Sequence, residues 1–375
     1  MKKSINRKTT APVIVIIAGR ALVLSAVLVF VSCHGNGQFH EKDIFEQFPE
    51  PTPLNQPVEE RTLSLKYPAD YLIADSLLFV HELQQESFVR CFNLNTMQEL
   101  SFFLHKGRGP GEMLHVQSIM KKGADSLQVY GDPQRIQVFA IADVLKGIEA
   151  SDYRTVPVNS RYKVHSSAFC LFDGRILFAG TYQAQEPDEK RFYLYSPQTE
   201  KAETFGDSHP AFFQNMEITP SGKSFLNTPL IGLHPSESLF VAATCHFKSI
   251  EVYDLQSKEK RASCYYELPR ADIRKIDEST MIVLGAKDQR GFNKVQCTDK
   301  YIYCFYSPVE NVQSNGAKTK TVYLFVYDWS LNQVQCYSVE ADQTSGYISA
   351  DGRFLYCVKS QEDSGSYLLC RYELL

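Results

Sequence analysis

Much that a catalytic or membrane-spanning chain carries is missing from this 375-residue sequence. No apolar run reaches the roughly 20 residues that a transmembrane helix needs. The ten cysteines show no Cys-x-x-Cys spacing, so they present no redox motif. His105 and His115 have no His-x-x-x-His or His-Glu pattern around them, so neither belongs to a recognisable zinc set. There is no Gly-x-Ser-x-Gly elbow and no Asp-rich calcium loop. Carboxylate pairs are too common in an acidic chain to single out a glycosidase. No catalytic residue, metal ligand or cofactor is therefore nominated. Tryptophan occurs once, and only 142–150 and 269–278 read as helix.

What is present begins with an export signal. Lys2, Lys3, Arg7, Lys8 and Arg20 stand in the first 32 residues without an Asp or Glu. An apolar stretch, 21–31, follows, broken only by Ser25. This charged-then-apolar order is that of a secretory signal. The junction Phe30-Val31-Ser32-Cys33 resembles the lipobox of bacterial lipoproteins, although Phe30 stands where Leu is usual. The resemblance implies cleavage before Cys33, a diacylglycerol on its thiol and an acyl chain on the freed amine. Several chains would give stable anchoring where one would not. The alternative is an uncleaved N-terminal membrane helix, with Cys33 inside it. The hydrophilic residues His34-Gly35-Asn36-Gly37-Gln38 argue against that. No acidic cluster follows Cys33, so the expected address is the periplasmic side of the envelope.

Removing the five signal cations takes the formal charge from −4 to −9. A body that acidic disfavours nucleic acid and anionic bilayer surfaces as partners. Nine cysteines follow Cys33, an odd number, and most sit in apolar alternations that read as buried strands. Cys297 with Cys304, or Cys357 with Cys370, would suit a disulfide if their strands are neighbours. Pro49, Pro51, Pro53 and Pro57 make 33–60 read as an extended tether. The aromatics of 43–48 could dock back on the domain.

The rest has one texture: short apolar alternations between polar turns. Asp75-Ser76, Asp125-Ser126, Asp173-Gly174, Ser236-Glu237-Ser238, Asp299-Lys300 and Asp351-Gly352 each lead into a strand. A second strand follows, as in 135–139, 249–254 and 322–328. The spacing, roughly 50–60 residues, is in the range of propeller blades. Six units fit, which predicts an all-β, six-bladed β-propeller of four-stranded antiparallel blades over 61–375. Closure would pair 61–66 with 368–374. A pair of β-sandwiches or an irregular β-solenoid is the competing arrangement.

The lipobox, the Pro-rich tether, Gly107-Arg108-Gly109-Pro110-Gly111-Glu112 and Val326-Tyr327-Asp328-Trp329 together resemble the Bacteroidetes six-bladed propeller lipoproteins. These are TolB-like propellers of the BF-type lipoprotein group. The resemblance implies a fold and an address, and no chemistry.

Two sets of residues are candidates for function. Lys106, Arg108, Gly109, Gly111 and Glu112 lie in a Gly-rich segment that is no P-loop, since no Gly-Lys-Ser/Thr follows. Its glycines suit turns of positive φ. Its cations would meet an anionic partner at the channel mouth, unless Glu112 neutralises Arg108. Ser76 and Ser126 stand in Asp-Ser-apolar triplets of the kind that Bacteroidetes-type periplasmic proteins O-glycosylate. An ordinary turn explains the same triplets. Two functions remain open. One is a binding or scaffold propeller for an envelope protein, peptide or glycan. The other is a hydrolase or lyase on sugars or lactones, with clustered His, Glu or metal ligands in the channel.

Overall fold

Successive strand residues point to opposite faces, so a strand apolar at every position must be covered on both. The second strand of each repeat is largely of this kind. In Leu77–Glu82 all six residues are buried. Such strands need a neighbouring sheet on each side, and stacking sheets around an axis supplies one.

The computed structural model describes residues 43–83, 86–109, 111–147, 153–182, 190–207, 227–246, 248–266, 291–307, 320–341, 346–361 and 366–374. The signal, Cys33, Pro110 and the helix-like stretch 269–278 lie outside these. The chain enters through β1 (Thr52–Pro53) and β2 (Glu59–Leu63). Blade one is β3 (Pro68–Ala74), β4 (Leu77–Glu82), β5 (Ser87–Asn93) and β6 (Glu99–His105). Blade two is β7 (His115–Lys122), β8 (Ser126–Asp132), β9 (Arg135–Ala140) and β10 (Tyr153–Pro157). Blade three is β11 (Tyr162–Cys170), β12 (Ile176–Tyr182), β13 (Lys190–Ser196) and β14 (Lys201–Asp207). Blade four is β15 (Pro229–Leu233), β16 (Leu239–Thr244), β17 (Ser249–Asp254) and β18 (Lys260–Tyr265). Blade five is β19 (Lys294–Cys297), β20 (Tyr301–Tyr306), β21 (Lys320–Asp328) and β22 (Gln333–Ala341). Blade six is β23 (Tyr347–Ile348), β24 (Phe354–Gln361) and β25 (Ser366–Glu373), completed by β2. The fold is the six-bladed, four-stranded antiparallel β-propeller expected. First strands of successive blades touch: β3 with β7, β7 with β11, β11 with β15, β15 with β19, and β23 with β3. They therefore surround the axis.

Each of the six hydrophobic clusters lies between two adjacent blades. In β16, Val241 and Ala243 face blade five, whereas Phe240 and Ala242 face blade three. In β12, Ile176 and Phe178 serve the core toward blade two, and Leu177 and Ala179 the one toward blade four. Period-two alternation thus feeds two cores from one strand. This accounts for the continuous apolar texture of the middle strands.

The six polar turns read from the sequence all join a first strand to a second. Left-handed backbone recurs there, at Asp75, Gly174, Glu237 and Gly352. The turns from third to fourth strands repeat too. Asn93, Asp254 and Asp328 each accept two backbone N–H bonds from the residues that follow. This is the Asx turn that short polar side chains favour.

Closure pairs β2 with β25, Arg61 opposite Leu369 and Leu63 opposite Tyr367. The expected segment is right, but the strand runs 59–63, two residues earlier than predicted at its start. The expected tether also needs correction over its described part. Ile44–Gln47 form a 3-10 turn whose Ile44 is fully buried. Phe45 packs edge-on against Tyr323 at 4.7 Å, and Phe48 against Tyr327 at 5.0 Å. Asp43 accepts a hydrogen bond from Lys248 at 3.0 Å. Thr52–Pro53 then lie parallel to β22, and Leu54 N–H donates to Ser338 O at 2.8 Å. Residues 43–54 are a strap on blade five. The aromatic docking expected for 43–48 is seen. The helix read at 142–150 is the short helix α1, Ile141–Lys146, and 148–150 lie outside the described residues.

Candidate functional site

The Gly-rich segment links β6, the outer strand of blade one, to β7, the inner strand of blade two. In an antiparallel blade such links leave at one end of the propeller. The first-to-second and third-to-fourth turns lie at the other. The loop is bolted down by its own backbone. Gly107 N–H donates to Met113 O at 3.0 Å, and Met113 N–H to His105 O at 3.0 Å, with Met113 fully buried.

Glu112 does not neutralise Arg108. Its carboxylate turns inward and accepts the Gly109 N–H at 2.7 Å, while Arg135 donates to its carbonyl. Of Gly107, Gly109 and Gly111, only Gly111 has the positive φ expected of these glycines. A Cβ on Gly107 would lie 1.9 Å from the Glu112 carboxylate. Gly111 has φ +76°, and a Cβ there would meet the Tyr153 ring at 2.9 Å. The glycines and Glu112 form the scaffold. Lys106 and Arg108 are exposed on it, and neither has an ion-pair partner among the described residues.

The axis at this end holds a cluster that sequence reasoning missed. Lys294 begins β19 in blade five, and Asp70 lies in β3 of blade one, with blade six between them. Their side chains meet at 2.7 Å. The first strand of blade six has only two residues, which lets the pair span it. The Lys294 ammonium also lies 5.6 Å from the Tyr71 ring centroid and 5.7 Å from that of Tyr347. Burial pushes both phenols up, and Asp70 adds to this. An ion pair with two aromatic walls therefore bridges the inner strands. Opposite Asp70 on β4 is buried His81, whose Nε2 has no hydrogen-bond partner. Burial lowers its pKa to about 4; Asp70 opposes this, and His115 adds to it. Nothing in the sequence announces the cluster, because Asp70 and Lys294 are separated by 224 positions.

The other candidates lie elsewhere. Ser76 is exposed and Ser126 half-buried, in the first-to-second turns of blades one and two. Ser126 donates to Asp125 at 3.0 Å. The triplets are thus real turns at the end away from the Gly-rich loop. All nine described cysteines are free, so neither suggested disulfide is formed. Cys357 and Cys370 do face each other across β24 and β25, whereas Cys297 is opposite Ile302 and not Cys304.

Blades closed by an N-terminal strand, cores between them and a bridged axis define a six-bladed propeller. The TolB-like six-bladed propeller family matches residues 47–348, and this chain belongs to it. Similar solved structures share the fold. One is a DUF4221-family protein from Bacteroides vulgatus ATCC 8482, 15% identical, with TM-score 0.51, over 84% of this chain and 99% of that one. Another is a protein of Bacteroides fragilis NCTC 9343 described as exported, 13% identical, with TM-score 0.50, over 87% and 100%. No curated protein matches this chain in sequence.

Proposed function

We propose that this chain is a lipid-anchored envelope protein, held by Cys33, whose propeller serves as a binding scaffold on the periplasmic side. The basic-then-apolar start and the small residue before Cys33 support the anchor. A propeller of the same fold described as exported is consistent with the address. One observation carries the binding reading. Lys106 and Arg108 stand exposed, without an ion-pair partner among the described residues, on a loop held by its backbone and by Glu112, in a mature chain of formal charge −9. A rigid cationic point on an acidic body suits an anionic group of an envelope protein, peptide or glycan. Charge-assisted hydrogen bonds to it would be the strong ones.

The test is capture of partners from solubilised envelopes. Arg108→Ala should weaken capture by about 1–3 kcal/mol and leave the melting temperature unchanged. An unchanged partner set for Lys106→Ala/Arg108→Ala would overturn the binding reading. Palmitate labelling that persists in Cys33→Ala would overturn the anchor.

A further inference from the structure

A groove of about 370 Å³ opens between blades three and four, at the end of the propeller away from the Gly-rich loop. That volume is within the range of small-molecule sites, about 300–1,000 Å³. Its walls are turns from two blades. Leu171 to Arg175 come from blade three, and Ser236 to Ser238 with Asp254 to Gln256 from blade four.

The aromatic in the groove is Phe172, 58% exposed. An open Phe side chain at a turn has no core to fill, yet this one is held in place. The Glu237 carboxylate accepts its backbone N–H, and the Lys122 ammonium sits 4.9 Å from its ring centroid. Gly123 lies close under the ring edge, where an added Cβ would be 3.3 Å away. The ring is thus supported from beneath, with more than half of the residue left to solvent.

The carboxylates around it are paired. Asp173 pairs with Arg175 at 2.7 Å, Asp254 with Arg261 at 2.7 Å, and Glu237 lies 3.9 Å from Lys122. Each wall carboxylate is thus already paired, which leaves none free for a ligand cation. The groove does offer donors and acceptors side by side, which matches adjacent hydroxyl groups. The negative face of an aromatic ring attracts the weakly positive C–H bonds of a sugar ring. Together these favour a neutral, polyhydroxylated ring over a charged or purely apolar ligand.

We infer that the blade three–blade four groove is a binding site for a neutral saccharide, with Phe172 as its stacking platform and the Asp173–Arg175 and Asp254 side chains as hydrogen-bonding walls. This site is distinct from the cationic loop and does not depend on it.

The test uses the full mature chain with Cys33→Ser, titrated calorimetrically with maltohexaose, cellohexaose and mannohexaose. At least one should bind. Phe172→Ala should weaken that binding roughly tenfold or more, and Phe172→Tyr should retain it. Asp254→Asn should also weaken it. Lys106→Ala/Arg108→Ala should leave it unchanged, which separates this site from the cationic loop. Absence of binding by all three at millimolar concentration would overturn the inference. So would binding indifferent to both Phe172→Ala and Asp254→Asn in variants that melt like the parent.

Discussion

At the scale of single residues, His81 reports on pH. The unfolded chain takes up this proton near pH 6.5, the folded one only near 4. Its contribution is therefore fully present above 6.5 and is lost as pH falls toward 4. The slope is about 1.4 kcal/mol per pH unit inside that window. Urea denaturation between pH 6.5 and 5 should give the parent a slope steeper than that of His81→Gln by about this amount. Equal slopes would mean that the imidazole titrates freely in the fold. The loop glycines make a second residue-scale prediction. Gly111→Ala should destabilise the domain by about 1 kcal/mol or more, since it needs both a left-handed backbone and room beside Tyr153. A parent-like midpoint for Gly111→Ala would mean that the loop relaxes around it. The requirement for glycine at this loop was legible from the sequence. The role of Glu112 was not, because it reads equally well as a partner for Arg108.

At the scale of elements, the strap on blade five adds a core contact from outside the repeats. Phe48 is 8% exposed and packs on Phe325 and Tyr327. Phe48→Ala should cost about 3 kcal/mol by urea denaturation. A loss below about 0.5 kcal/mol would mean that the strap rests on the blade without stabilising it. The polar turns and middle strands were readable because both follow short-range rules: period-two alternation, and Asp, Ser or Gly where the chain must reverse. The strap was only half readable. Its aromatics stood out, but Thr52 opposite Tyr337 is a pairing across the whole chain, and proline there suggests an unpaired extended segment. Proline is tolerated because β1 is an edge strand, where a missing N–H leaves no ladder bond unmade. The groove between blades three and four was not readable at all. Its walls come from three separate turns, each of which reads only as a turn.

At the scale of the whole molecule, ring closure is a long-range pairing carried by five residues of β2. Leu63 is 1% exposed in the core between blades six and one. A chain beginning at residue 64 should leave the β25 edge and that core open. It should bind a hydrophobic dye and melt earlier than a chain beginning at residue 55, which lacks the strap alone, as followed by fluorescence and circular dichroism. Unchanged melting would mean that the ring holds without its fourth strand in blade six. The cysteines give a global readout as well. Burial lifts the Cys357 thiol to about 12 and the Cys370 thiol to about 11. Nine thiols should titrate at pH 8 after denaturation, and few of these in the folded chain.

The strap also sets a distance. With Cys33 lipidated as proposed, only the nine residues 34–42 separate the bilayer from Asp43, whose carboxylate is clasped by Lys248 in the second-to-third turn of blade four. Ten peptide steps span at most about 35 Å. Lipidation at Cys33 would therefore hold Asp43 within about that distance of the bilayer.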